Sequence, residues 1–217
     1  MNNKETELVC ILDKSGSMAG LENDTIGGFN SLLKKQKDTK GVAKVTTVLF
    51  DHRYQLLHDR LPIQEVQPLT KEDFRAEGTT ALLDAVGRTI DSLLESLIGI
   101  PKEAYPSVMV VIITDGEENA SKDYSLDRIR KRIGFCKESE LWEFFYLGAN
   151  VDAFAAASDI GIDKDRAASY HADARGVEVN FDVLNSAMSQ IRCCSVVSDK
   201  WKEKIEKDFK TRSKKQG

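Results

Sequence analysis

With 217 residues, 41% of them apolar and 30% charged, the chain is long enough to bury a sizeable core in one domain and has the balance of a globular protein. Its 31 Lys+Arg against 35 Asp+Glu give a net charge of -4, which argues against a nucleic-acid-binding surface. No run approaches the roughly 18 to 20 consecutive apolar residues of a membrane span, and the first residues lack the pattern of a secretory leader, so a cytoplasmic protein without a membrane or nucleic-acid partner is expected.

Taken in chain order, short apolar runs alternate with segments of helical period, the signature of an α/β fold. Residues 8–12, 45–50 and 108–113 are almost continuously apolar and β-branched, as central strands covered on both faces should be. Residues 53–57 follow the second run too closely for a crossover helix, which predicts an antiparallel hairpin at a sheet edge. Further parallel strands are expected at 144–147 and, more weakly, 167–170. Between them, apolar residues recur every three or four positions. The stripes are Ile26, Phe29, Leu32, Leu33; Leu82, Val86, Ile90, Leu93, Leu94, Leu97; Leu126, Ile129, Ile133; and Phe181, Leu184, Met188, Ile191. The expected fold is a doubly wound, mostly parallel six-stranded sheet with one antiparallel edge strand and helices on both faces. One domain spans residues 1–217. Its core covers about 6–195, and an amphipathic helix at about 198–210, bearing Trp201, Ile205 and Phe209, follows with Ser198 or Asp199 as N-cap. The basic residues 211–217 read as a frayed tail.

The first strand runs into Asp13-Lys14-Ser15-Gly16-Ser17-Met18, one carboxylate and two hydroxyls in a tight turn. Open α/β sheets bind ligands beyond the carboxyl ends of their strands, so this loop lies where a site is expected. A second oxygen cluster, Thr114-Asp115-Gly116-Glu117-Glu118, follows the strand at 108–113. Right-handed crossovers make these two strands neighbours at the point where strand order reverses, so Asp13 and Asp115 face one cleft. Two juxtaposed carboxylates with hydroxyls beside them suggest a hard cation such as Mg²⁺. A third donor is available at Gly78-Thr79-Thr80, ahead of the long helix; a bland alternative for either threonine is helix capping.

These motifs resemble the von Willebrand factor type A domain and its metal-ion-dependent adhesion site. The Asp-x-Ser-x-Ser loop corresponds to Asp13, Ser15 and Ser17, the threonine of the glycine turn to Thr79, and the aspartate after the apolar strand to Asp115. The likeness covers roughly residues 6–195. It implies Mg²⁺, with Mn²⁺ or Ca²⁺ as alternatives, held by the hydroxyls of Ser15, Ser17 and Thr79, with Asp13 and Asp115 bound directly or through water. A Glu or Asp of a partner protein fills the remaining position, so the chain is expected to bind protein and to catalyse nothing. The turn reads Glu77-Gly78-Thr79 where the family often has two glycines, a departure that bears on loop shape.

Other residues carry less. Asp51 ends a strand at the hairpin head and reads as a turn residue. His52, His58 and His171 are scattered without ligand spacing and are expected to be exposed. Glu117 and Glu118 read as a solvated loop or as a source of field at the site. The four cysteines, Cys10, Cys136, Cys193 and Cys194, form no C-x-x-C pair, so neither a disulfide framework nor a zinc site is expected. Two competing functions remain. A Mg²⁺-dependent phosphohydrolase of haloacid dehalogenase type also begins with an Asp after its first strand, although its second carboxylate is replaced here by Ser15. Alternatively, the metal site is vestigial and a partner docks around Trp201, Ile205 and Phe209.

Overall fold

The computed structural model describes residues 4–140, 142–149 and 152–214. Strands β1 (Thr6–Asp13), β2 (Ala43–Phe50), β3 (Tyr54–Pro62), β4 (Ser107–Thr114), β5 (Glu143–Ala149) and β6 (Ala167–Tyr170) form one sheet. Its order is β3-β2-β1-β4-β5-β6. Only β3 runs antiparallel, paired to β2 by the expected hairpin; the other neighbours are parallel. The edge strand is longer than residues 53–57, because bulges between Val45 and Val48 let it follow β2 as far as Pro62.

Successive residues of a strand face opposite layers, and the two central strands show this cleanly. Leu8, Cys10 and Leu12 of β1 and Met109, Val111 and Ile113 of β4 enter one core, with residues of α1 (Glu22–Lys37) and α5 (Ala174–Cys194). Val9 and Ile11, with Val108, Val110 and Ile112, enter the other, under α2 (Leu82–Ser96), α3 (Leu126–Ser139) and α4 (Ala153–Asp159). The doubly wound α/β arrangement read from the sequence is the one observed. The short α4 was not among the expected helices: its sequence, Ala-Phe-Ala-Ala-Ala-Ser-Asp, carries small residues rather than a large apolar stripe, and Asp152 caps it by accepting from Phe154 and Ala155.

The last helix, α6 (Glu203–Ser213), starts later and ends later than expected. Neither Ser198 nor Asp199 caps it; Ser198 instead closes the preceding turn, where its carbonyl accepts from Trp201 and its hydroxyl from Lys200. Helix continues through residues 211–213 because Arg212 is tied to Asp208 and Asp173, while residues 215–217 lie outside those described. Trp201 and Ile205 are buried in the core at 6% and 1% exposure, with Trp201 edge-on to Phe145. They are therefore not a surface on which a partner docks.

Candidate metal centre

Because β1 and β4 pair in register, with Leu12 beside Ile113, their carboxyl ends and the loops that leave them lie side by side. Asp13 is fully buried. Its Oδ1 accepts the Ser15 N–H at 2.7 Å and its Oδ2 accepts the Thr114 hydroxyl at 2.5 Å. The loop then coils into a short 3-10 turn, Gly16–Met18, which brings the Ser15 and Ser17 hydroxyls to 3.1 Å of each other. Ser17 donates to Asp115 Oδ1 at 2.6 Å. Asp115 is 3% exposed, and its Oδ2 is buried without a hydrogen-bond partner.

The third strip of the site comes from residues 77–80. Glu77 N–H donates to the Lys14 carbonyl at 2.9 Å and Gly16 N–H to the Gly78 carbonyl at 3.0 Å, so the two loops are stitched together. Gly78 has φ +75, a left-handed backbone that favours glycine, and the half-exposed His52 ring packs where its Cβ would be. Thr79, expected in the site, points outward: it is exposed and makes no hydrogen bond among the described residues. Thr80, 3% exposed, is the threonine that reaches the cluster. A Cβ placed on Gly116 would meet Thr80 Oγ1 at 2.9 Å, Ser17 Oγ at 3.0 Å and Ser15 Oγ at 3.5 Å, so three hydroxyl oxygens converge beside Asp115. The two adjacent side chains thus lie in different surroundings, Thr79 exposed and Thr80 buried beside the serines. Neither threonine caps the helix. The N-cap is Ala81, and the side chains that serve the first turn are Glu118, whose Oε2 accepts from Leu83 N–H at 2.9 Å, and Ser121, whose hydroxyl accepts from Asp84 N–H at 3.0 Å.

Glu118 is therefore no solvated loop residue. It also accepts the N–H groups of Ala120 and Ser121 and the Ser121 hydroxyl. Asp84, which the sequence reading passed over, accepts three consecutive N–H groups, from Lys122, Asp123 and Tyr124. Asn119 completes the lacing: its Oδ1 takes Thr80 N–H at 3.0 Å and its own N–H donates to the Thr80 carbonyl at 3.0 Å. The segment that follows Asp115 and the segment that carries Thr80 are thus fixed to each other on both sides of the hydroxyl cluster. Asp51 behaves as the turn residue expected, accepting Arg53 N–H at 2.6 Å.

The electrostatics of the site are unusual for a protein interior. Burial pushes the Asp13 carboxyl up to about 6; hydrogen bonds from Thr114 and Ser15 work against this, and the charge of Asp115 adds to it. Burial raises Asp115 as well, against the hydrogen bond from Ser17. The nearest cations are engaged elsewhere: Lys14 Nζ donates to Gln55, and Arg53 is held between Asp51 and Glu77. Buried charges need a partner. Here two carboxylates share a pocket, one with an orphaned oxygen, and no ion pair with either forms among the described residues. The donors are all oxygen and mostly neutral hydroxyl; among the described residues there is no group of three or more His, Cys, Asp or Glu side chains that could hold a metal. Such a set fits a hard divalent cation and does not fit zinc-type sulfur and nitrogen coordination. Of the histidines, His58 departs from expectation: it is 6% exposed, inside β3.

No protein-family model matches the sequence, and neither does any curated protein. The fold, however, matches solved structures. Proximal thread matrix protein 1 from the mussel byssus, with a zinc-occupied MIDAS motif, superposes with TM-score 0.60 at 13% identity over 86% of this chain and 46% of that one. A von Willebrand factor type A structure from Catenulispora acidiphila gives 0.56 at 13% identity, over 86% and 43%. The pilus adhesin SpaC from Lactobacillus rhamnosus GG gives 0.64 at 14% identity, over 88% and 31%. The chain thus has the von Willebrand factor type A fold, and it spans less than half the length of each of these structures.

Proposed function

We propose that the chain is a metal-dependent protein-binding module. Ser15, Ser17, Thr80, Asp13 and Asp115 hold a divalent cation, Mg²⁺ first and Mn²⁺ or Ca²⁺ as substitutes, and a Glu or Asp of a partner protein completes its shell. One observation carries the reading: three hydroxyls converge beside two buried carboxylates that form no ion pair among the described residues. A cation held largely by neutral hydroxyls keeps the positive charge that attracts an outside carboxylate. The adhesin and the MIDAS-bearing matrix protein among the fold neighbours support the same reading. Ser15 in place of a second catalytic carboxylate favours binding over phosphate hydrolysis. The free cysteines, two of them exposed, support a reducing compartment such as the cytoplasm.

Calorimetric titration with Mn²⁺ and Mg²⁺ tests the site. Binding with a Kd in the micromolar to millimolar range, roughly, is expected for so few carboxylates, and its loss in the Ser15→Ala, Ser17→Ala double variant assigns it to the cradle. Turnover of a generic phosphomonoester that needs Mg²⁺ and disappears in Asp13→Asn would overturn the binding-module reading in favour of a hydrolase.

A further inference from the structure

Next to the hydroxyl cradle, an open cavity of about 390 Å³ lies between α4 and the loop that carries Asp115. Gly116 belongs to both: it lines the cavity and backs onto the three hydroxyls. The cavity wall is apolar, formed by Leu83, Leu126, Tyr146, Ala156 and Ile160. Leu126, the first residue of α3, lines the cavity and is 41% exposed. The rim carries one sign of charge, from Glu117, Asp152 and Asp159. Glu117 is exposed and makes no ion pair or hydrogen bond among the described residues. Asp152 spends Oδ1 on the cap of α4, leaving Oδ2 to the rim, while Asp159 is paired with Arg130, which lies 3.9 Å from its Oδ1 and donates Nε to its carbonyl at 2.9 Å.

An acidic segment that sought the metal by charge alone would be repelled by this rim. A partner that fits both halves carries a single carboxylate for the cation, an apolar side chain for the cavity, and a cation for the rim. Residues of an extended peptide advance about 3.3 Å each and return to the same side every second residue, so an apolar residue that faces the cavity beside the cation sits two positions from the carboxylate. We propose that this cavity is the specificity pocket of the binding surface, accepting a leucine- or phenylalanine-sized side chain two residues from the coordinating acid, with a partner Lys or Arg against Glu117 and Asp152. The proposal rests on the reading of the cradle as a site completed by a partner carboxylate.

The test is a positional-scanning library of capped, fluorescent pentapeptides with a central Glu, read by polarisation in Mg²⁺ and in EDTA. The expected result is Mg²⁺-dependent binding in which leucine, isoleucine or phenylalanine two positions from the Glu is preferred over alanine by about tenfold, the worth of burying one such side chain. Lys or Arg is preferred over Asp or Glu at the remaining positions. Ala156→Trp, which fills the cavity, should reduce the apolar preference to less than about twofold while leaving Mn²⁺ affinity unchanged. Glu117→Lys, at an exposed position that tolerates the change, should reverse the charge preference, and it keeps the test decisive if Ala156→Trp does not fold. Mg²⁺-dependent binding with no apolar preference, or a preference that survives a folded Ala156→Trp, overturns the pocket and leaves the metal reading standing. Binding no stronger in Mg²⁺ than in EDTA overturns the reading of the cradle and the pocket with it.

Discussion

Strand β1 buries a carboxylate near each end, Glu7 at 1% exposure and Asp13 at 0%, and the two ends of the sheet treat them differently. At the amino end the chain supplies its own compensation. Arg60 Nε donates to Glu7 Oε2 at 3.1 Å and the Thr46 hydroxyl donates to Oε1 at 3.0 Å. Reaching that position has a conformational cost: Arg60 takes φ 48, a left-handed backbone that non-glycine residues avoid, within the bulged stretch of β3. At the carboxyl end no such ion pair forms among the described residues. There Asp13 receives neutral donors from Ser15 and Thr114 and faces a second carboxylate in Asp115, although Lys14 is the very next residue and turns away to Gln55. This contrast between an ion-paired carboxylate and one that meets neutral donors is what favours the proposed cation site at the carboxyl end and not at the amino end.

The sharpest way to break this comparison is to remove the cradle. Ser15→Ala with Ser17→Ala takes away two of the three convergent hydroxyls, and divalent-ion affinity should fall by at least about 100-fold in Mn²⁺ titrations followed by electron spin resonance. The metal-free chain should also lose about 1 to 3 kcal/mol of stability, because Ser17 donates to the buried Asp115, so affinity is compared between proteins shown to be folded. Retained affinity would mean that the cation sits elsewhere.

The complementary change is Arg60→Met, which strands Glu7 in the interior. Breaking a buried pair from one side costs about 3 kcal/mol, measurable by urea unfolding, and neither Mg²⁺ nor EDTA should alter the difference. Adding Glu7→Gln in the same chain should recover most of it. If Arg60→Met unfolds at the same urea concentration as the parent, the amino-end pair is not the compensation described.

Acid acts on both ends in the same direction, because burial also raises the Glu7 carboxyl against the hydrogen bonds from Arg60 and Thr46, so the reading that separates them is metal affinity. The folded-state value of Asp13 is raised, to about 6 from an ordinary 3.8, so the folded chain holds this proton more tightly than the unfolded one. Metal-free stability from this group is therefore complete below about pH 4 and is lost as pH rises through about 6. A bound cation requires the deprotonated form, so metal affinity should run the opposite way, flat near pH 7 and about tenfold weaker at pH 5. Calorimetry across that interval checks both signs, and affinity independent of pH would show that Asp13 does not take part.

The fold was readable because its determinants are local and repetitive. Continuous apolar runs mark β1, β2 and β4, and the short gap before residue 53 forces a hairpin. Helix α4 escaped because alanines bury without leaving a stripe of large side chains, and the start of α6 because Ser198 caps a turn instead of the helix. At the site, Asp13, Ser15, Ser17 and Asp115 were readable from loops that follow strands directly. Glu118 and Asp84 were not, since their value lies in backbone N–H groups up to forty positions away in the chain, as in the bond from Tyr124 N–H to Asp84.

Thr79 and Thr80 show the limit most sharply, because chemistry and spacing make them equivalent. What separates them is side-chain direction, set by Gly78 turning through its positive φ and by Asn119 gripping the Thr80 backbone on both sides. The hydroxyl that follows the turn faces solvent and the next one faces Ser15 and Ser17. Thr80→Ala should therefore weaken Mn²⁺ binding by about fivefold to tenfold, less than the double serine change because one of three hydroxyls is lost, while Thr79→Ala should leave it unaltered. Thr80→Ser keeps the oxygen and should recover most of the affinity. Equal loss from both alanine variants would mean that the loop reorganises around the cation, and the asymmetry between the two threonines would then belong to the metal-free state alone.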